Sequence, residues 1–244
     1  MNHPKLRDSK KLKTQELYEL SQIPEDIIKK IGAHVVYMLH TGRTDMTGDD
    51  WGNIFADVIG GTHFNSPIGI ADVAHGKMAW SMKTVKTSKP FSCKNVRLIS
   101  GRCSPDYSFG ITDPHEDIQR TGQAVLAVWN ERISIAYEEY NPVRVNVLVR
   151  NNDLTEFNIF EEYIERYRTN DFIWKENKNG NLIGIKKSTN ETYFTWQPHG
   201  SQFTIHAKVP DDAIKFKIRR PPIVPMEEAL KSIHFDESWI QIIR

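Results

Sequence analysis

Acidic side chains are missing from one long stretch of this chain. Between Val73 and Pro105 there is no Asp or Glu, while Lys77, Lys83, Lys86, Lys89, Lys94, Arg97 and Arg102 all fall there. Over the whole sequence 32 Lys and Arg balance 31 Asp and Glu, for a formal charge of +1. The imbalance is therefore local, and it suits a polyanion held by its phosphates, or else a solvated face. Cysteine is nearly absent too. Cys93 and Cys103 have no His or Cys neighbour at zinc spacing, so two reduced thiols are expected rather than a disulfide framework or a zinc site. No apolar run approaches the roughly 20 residues that span a membrane. The opening MNHPKLRDSKKLK is basic without a signal peptide's apolar segment, which makes a cytoplasmic protein without a membrane partner the expectation. A Walker-type glycine loop, paired His-x-Lys motifs, a His-Asn-His finger and a plausible cysteine triad are all missing.

What is present reads as one α/β domain. The 244 residues, 39% hydrophobic, suffice for a sizeable core. Residues 1–13 read as a mobile arm and 13–20 as one short helix. A helix then starts near Pro24, with Ile27, Ile28, Ile31, Val35 and Leu39 at helical spacing. A second, capped by Thr47 or Asp49, carries Trp51, Ile54, Phe55, Val58 and Ile59 and stops at Gly60-Gly61. After a short strand at 96–100 and an irregular loop at 101–110, a long helix is expected from Thr112, capped by Thr112 or Asp113 with Pro114 in its first turn. Its buried stripe would be Ile118, Val125, Leu126, Trp129 and Ile133. Val143 to Arg150, with valine at alternate positions, reads as an inner strand, and 151–167 as a further helix. From Phe172 to His206 short apolar runs separated by Asn179-Gly180 and His199-Gly200 predict a β-meander, and a last helix begins near Met226. The expected architecture is a mixed central sheet flanked by helices plus a C-terminal antiparallel meander. By segment it is 1–45 helical, 46–170 the α/β core, 171–220 the meander and 221–244 the final helix.

Chemistry concentrates at residues 67–83. Short apolar runs flank His75-Gly76, and glycine supplies the positive φ of a tight turn. With that dipeptide as the turn, Ala74 faces Lys77, Asp72 faces Ala79 and Ile70 faces Ser81. Alternation then puts Val73, Met78, Trp80 and Met82 on one apolar face, and Asp72, Ala79, Ser81 and Lys83 on the other. A carboxylate, a hydroxyl and an ammonium converge on a face with no hydrophobic reason for burial. A plain solvated hairpin is the alternative for the same residues.

The pattern Asp72, then Ser81-x-Lys83, preceded by a helix, resembles the PD-(D/E)XK nuclease superfamily, the fold of most type II restriction endonucleases. The resemblance covers roughly residues 48–150 in element order. It implies a Mg²⁺-dependent, sequence-specific endonuclease acting on double-stranded DNA. Asp72 would be a metal ligand, Lys83 the lysine that positions and activates water, and Ser81 the occupant of the usual Glu position. The sequence departs from the pattern in three places: Ala71 replaces the Pro, Ser81 replaces the carboxylate, and Gly52 stands near where the preceding helix often has a Glu. Some restriction enzymes with Ser-x-Lys take the missing carboxylate from a following helix. Glu116 is the first candidate for it, with Asp50 or Asp57 next, although Glu116 and Asp50 also suit simple helix-start acids. A repair or junction nuclease of the same fold, or a DNA-binding protein without the chemistry, are the alternatives.

DNA contacts are expected from Lys86, Lys89, Lys94, Arg97 and Arg102 toward phosphates, and from Gln197, His199, Ser201 and Gln202 toward base edges. A homodimer matching a palindromic site is a further expectation from the resemblance.

Overall fold

The computed structural model describes residues 16–243. The expectations for 1–13, and for the start of the 13–20 helix, lie outside the described residues. Residues 16–20 form bends and turns rather than helix. Tertiary bonds claim this segment: the Tyr18 hydroxyl donates to Glu161 Oε1 at 2.9 Å, and Arg144 donates to the Tyr18 carbonyl at 2.9 Å.

Two helices come first, α1 (Glu25–His40) and α2 (Gly48–Ile59). α2 opens on a capping box, in which Thr47 accepts from the Asp50 amide while the Asp50 carboxylate accepts from the Thr47 amide. Three strands follow as a meander, β1 (Thr62–Ile68), β2 (Ala71–His75) and β3 (Met78–Lys86). β4 (Asn95–Arg102), the short α3 (Pro105–Phe109) and the long α4 (Ile118–Glu139) lead to β5 (Val143–Arg150) and β6 (Glu156–Tyr163). The rest is β7 (Phe172–Glu176), β8 (Leu182–Lys186), β9 (Thr192–Gln197), β10 (Gln202–Lys208), β11 (Ile214–Lys217) and α5 (Met226–Ser232).

The strands make two sheets. The main one has the order β1-β2-β3-β5-β6-β11 and is mixed, because β3 and β5 run parallel while its other pairs are antiparallel. The second is antiparallel, in the order β4-β10-β9-β8-β7. The architecture is thus α/β, a mixed sheet flanked by helices with the expected meander beside it. The meander gains β4 at its edge, a strand supplied from about a hundred residues earlier.

Alternation sets the layers. Val73, Met78, Trp80 and Met82 pack with Trp51, Phe55 and the apolar side of α1 on one face of the main sheet. Ala74 and Ala79 lie on the other face, in a cluster with Val125, Trp129 and Ile133 of α4 and with Trp196 and Phe203 of the second sheet. α4 approaches the β1–β2 turn closely: a Cβ on Gly69 would stand 2.2 Å from the Arg132 carbonyl oxygen. Gly69 also has φ +62°, so both its space and its backbone require glycine.

Besides residues 16–20, the final helix expected over 221–244 is confined to Met226–Ser232, and the loop expected over 101–110 holds the end of β4 and the short helix α3; three larger expectations are also corrected. The hairpin pairs Val73 with Trp80, Ala74 with Ala79 and His75 with Met78, so the turn is Gly76-Lys77 and Asp72 comes level with Ser81. The assignment of faces survives, because the shift moves the second strand by two residues. The long helix starts at Ile118, capped by Asp117, which accepts from the Arg120 amide at 2.9 Å. Asp113 instead closes a local turn onto the His115 amide. The third correction is residues 151–167, which contain the strand β6. Asn151 there accepts from the Thr155 and Glu156 amides and donates to the Thr155 hydroxyl, closing a β5–β6 loop rather than capping a helix. Phe157 and Ile159 face the α1/α2 side and Phe160 the other, a strand buried on both faces. Such a strand loses the alternation that identifies strands in sequence.

Candidate active site

Asp72, Ser81 and Lys83 meet on the face of the main sheet that looks toward α4 and the second sheet. One carboxylate oxygen, Asp72 Oδ2, accepts from the Met82 amide at 2.7 Å, from Ser81 Oγ at 3.2 Å and from Lys83 Nζ at 3.5 Å. Lys83 Nζ also donates to Ser81 Oγ at 2.8 Å and to the Met82 carbonyl at 3.1 Å. The Asp72 and Lys83 side chains are 21% and 18% exposed, enough to meet a ligand yet well withdrawn from bulk water. Burial holds the Lys83 ammonium below its ordinary pKa; Asp72 opposes the shift and the nearby Arg132 adds to it.

Arg132 is a participant that sequence reasoning missed. Its guanidinium donates to the Gly69 carbonyl at 3.2 and 3.3 Å and to the Ser100 carbonyl at 3.1 Å, tying α4 to both the β1–β2 turn and the end of β4. A signal existed: Arg132 lies one residue from Ile133 and three from Trp129, on the edge of an otherwise apolar stripe.

Glu162 is the second one missed, because 151–167 read as a helix. In register, Ser81 pairs with Val145 and Val145 with Glu162, so all three side chains share a face. A cavity of about 50 Å³ is lined by Ser81, Lys83, Ser100, Trp129 and Glu162. It adjoins an open cleft of about 420 Å³ whose walls include Arg97, Tyr193, His206 and Lys208, and the two share Glu162, Tyr167, Ile205 and Ala207. Partial burial, with help from the Glu165 carboxylate, raises the Glu162 pKa. Three strand spacings, about 14 Å, separate the backbones of Asp72 and Glu162. At metal–oxygen distances of about 2.1 Å, two such side chains do not close on one ion.

The carboxylates expected to complete the site lie elsewhere. Glu116 is exposed in the turn before α4, whose first residues sit against β7 through Gln119 and Trp174. From there to Arg132, where α4 meets the hairpin, is about 21 Å of helix at 1.5 Å per residue. Asp50 is engaged in the α2 capping box and in an ion pair with Arg43 at 2.7 Å. α2, with Asp49, Asp50 and Asp57, packs on the opposite face of the sheet from Asp72. No group of three or more His, Cys, Asp or Glu side chains gathers among the described residues. Asp72 alone can still serve Mg²⁺, which is bound through one or two carboxylates when substrate phosphates and waters fill its other positions.

Of the expected DNA contacts, Arg102, Gln202 and Gln197 form one rung across three strands, since Gln202 pairs with both Arg102 and Gln197. His199 and Ser201 are in the turn joining β9 to β10, where the Ser201 carbonyl accepts from the Cys103 amide at 2.8 Å. Arg97 pairs with His206 further along the same open face. Lys86, Lys89 and Lys94 are exposed at the other end of these strands, and Lys86 lies 3.5 Å from Asp45. Arg102, Gln197, His199, Ser201 and Gln202 therefore gather at one end of β4 and Lys86, Lys89 and Lys94 at the other, with Arg97 on the strand nearer the lysines.

Among the described residues no helix is long and apolar enough to cross a membrane. Compared with protein-family models, curated proteins and solved structures, the chain has no significant match.

Proposed function

We propose that this chain is a Mg²⁺-dependent endonuclease of double-stranded DNA, of the restriction type. The observation that carries the reading is the convergence of Lys83 Nζ, Ser81 Oγ and Asp72 Oδ2 beside a small cavity that adjoins an open cleft, whose walls carry Arg97 and the ion pair of Lys208 with Glu191. In this reading Asp72 would hold the cation together with a substrate phosphate. Bound there, Mg²⁺ supplies charge neutralisation of the phosphate and of the leaving oxygen. Lys83, kept below its ordinary pKa, orients a water and takes its proton. Ser81 holds the ammonium beside Asp72 and contributes no charge. Arg97 and Arg102 neutralise flanking phosphates, while Gln197 and Gln202 carry the paired donors and acceptors that read base edges.

A second reading is favoured by the solitary carboxylate: a DNA-binding protein in which the Asp72–Lys83 pair is only structural. Incubating purified protein with plasmid DNA and Mg²⁺ separates the two. Discrete fragments support a restriction enzyme and smearing a nonspecific nuclease. Intact plasmid that is nonetheless retarded on a gel would leave binding alone.

A further inference from the structure

The segment after β11 leaves the body as an arm. Pro221, Pro222 and Pro225 stiffen it, and Pro225 holds the extended angles φ −59° and ψ 144°. Two contacts pin it to the last residue of α1: the Val224 amide donates to the His40 carbonyl at 2.9 Å, and His40 Nδ1 lies 2.6 Å from the Pro222 carbonyl oxygen. Beyond this pin neither α5 nor the turn at Glu237–Trp239 buries a single residue. Met226 is 74% exposed, Ile233 54%, Trp239 62% and Ile240 66%. Lone exposed apolar residues are ordinary, but a run of them on one arm marks a surface that meets another surface. Phe235 and Trp239 pack edge to face at 5.7 Å, so the arm presents a formed ridge.

A groove of about 560 Å³ lies at the arm's root, between α1 and β11, with Ile28, Gly32, Val36, Phe216 and Ile218 among its walls. Gly32 leaves it open, with no atom within 4 Å of where a Cβ would be. β11 is also an edge strand of the main sheet. Charge complements shape: Lys29, Lys217 and Arg219 line the groove, although Lys29 and Lys217 are also bridged to Glu25 and Glu156. The arm carries Glu227, Glu228, Asp236 and Glu237. The pin at His40 lies eight residues of helix beyond Gly32, about 12 Å, and no described residue of the arm beyond Arg219 is among the walls of its own groove.

We infer that the apolar ridge of the arm fills the groove of a second copy of this chain, and that the exchange is reciprocal. Groove and ridge then occur on both partners, which gives a closed two-fold dimer rather than an open chain of copies. The inference stands apart from the nuclease reading and survives its failure.

Sedimentation equilibrium of the full chain at tens of micromolar tests it. The wild type should be a dimer. Gly32→Arg places a bulky cation in the groove and should weaken dimerisation at least tenfold without lowering the melting temperature measured on the dilute monomer. Trp239→Ser and Ile240→Ser, at exposed positions that leave the monomer fold untouched, should do the same from the other side. A wild-type monomer at these concentrations overturns the inference, whether its arm is free or folded onto its own groove. A dimer that persists in a well-folded Gly32→Arg, or in both arm variants, overturns it equally.

Discussion

Lys83 and Ser81 stand two residues apart on β3, and their side chains touch, Nζ donating to Oγ at 2.8 Å. Backbones two residues apart in a strand are separated by about 6.8 Å, so the lysine bends back along its own strand instead of reaching outward. The hydroxyl sits between ammonium and carboxylate and donates onward to Asp72 at 3.2 Å. A glutamate at position 81 would add a second charge here; the serine keeps one carboxylate facing one ammonium.

The first prediction follows from this contact. Asp72→Ala and Lys83→Ala should each abolish cleavage while leaving affinity for DNA within a few-fold of wild type. Ser81→Ala should lose less, about tenfold, because Lys83 retains Asp72 and the Met82 carbonyl as partners. Gel assays of cleavage with Mg²⁺, and of binding without it, measure both. Cutting at the wild-type rate by either of the first two variants would remove this site from the chemistry.

This trio was legible in the sequence because side chains two apart on a strand share a face, and the hairpin's register differs from the expected one by an even number of residues, which keeps Asp72 on the face of Ser81 and Lys83. The same rule could not say what closes the site. β4 and β10 pair across about a hundred residues, and only that pairing brings Arg102 level with Gln197. Glu162 stayed hidden because β6 is buried on both faces, so Leu154, Phe157, Ile164 and Tyr167 imitate a helical stripe. Glu116 misled for a different reason. Thr112, Asp113 and Pro114 make a good helix start, but the helix begins at Ile118 behind its Asp117 cap, and its first turn lies far from the hairpin.

Lys83 should also give the rate its pH dependence. Burial favours the neutral amine, the form able to accept a proton from water. Cleavage should therefore rise with pH about a midpoint below the ordinary lysine range. Because the folded pKa lies below the unfolded one, the unfolded chain binds the proton more tightly. The cost of burying the charge is then fully present below the folded pKa and is relieved as pH rises toward the unfolded value. A pH–rate profile checks the first statement, with Lys83→Arg as control. An identical rising limb in that variant would assign the titration to another group.

The rung of Arg102, Gln202 and Gln197 separates anchoring from reading. Arg97→Ala or Arg102→Ala should weaken binding to every duplex alike and lower the salt slope by about one unit. Gln197→Ala or Gln202→Ala should instead erode preference for the cognate site, by about 1–3 kcal/mol for each bidentate pairing with a base. Binding to cognate and scrambled duplexes over a salt series measures both. Equal weakening on the two duplexes from the glutamine variants would place recognition elsewhere, most directly in the turn at His199–Ser201.

Gly69 and Gly76 offer a paired test of the scaffold. Both have positive φ, +62° and +57°, but only Gly69 lies under a helix. Gly76→Ala should cost about 1–2 kcal/mol, the ordinary penalty of a left-handed non-glycine residue. Gly69→Ala should cost clearly more, since its methyl group meets the Arg132 carbonyl, and it should impair cleavage by pushing α4 off the hairpin. Urea denaturation of the two variants makes the comparison. Equal destabilisation would show that α4 yields at no cost.

The pairing of β4 with β10 has a consequence for synthesis on the ribosome. Arg97 waits for His206, 109 residues later, which at roughly 5–20 residues per second is on the order of 5–20 seconds. Until then Asp72, Ser81 and Lys83 can be made and paired while the strand that walls their cavity has no neighbour. The nascent chain therefore carries the chemical groups early and gains their enclosure, with the rung of Arg102, Gln202 and Gln197, only once the meander has emerged.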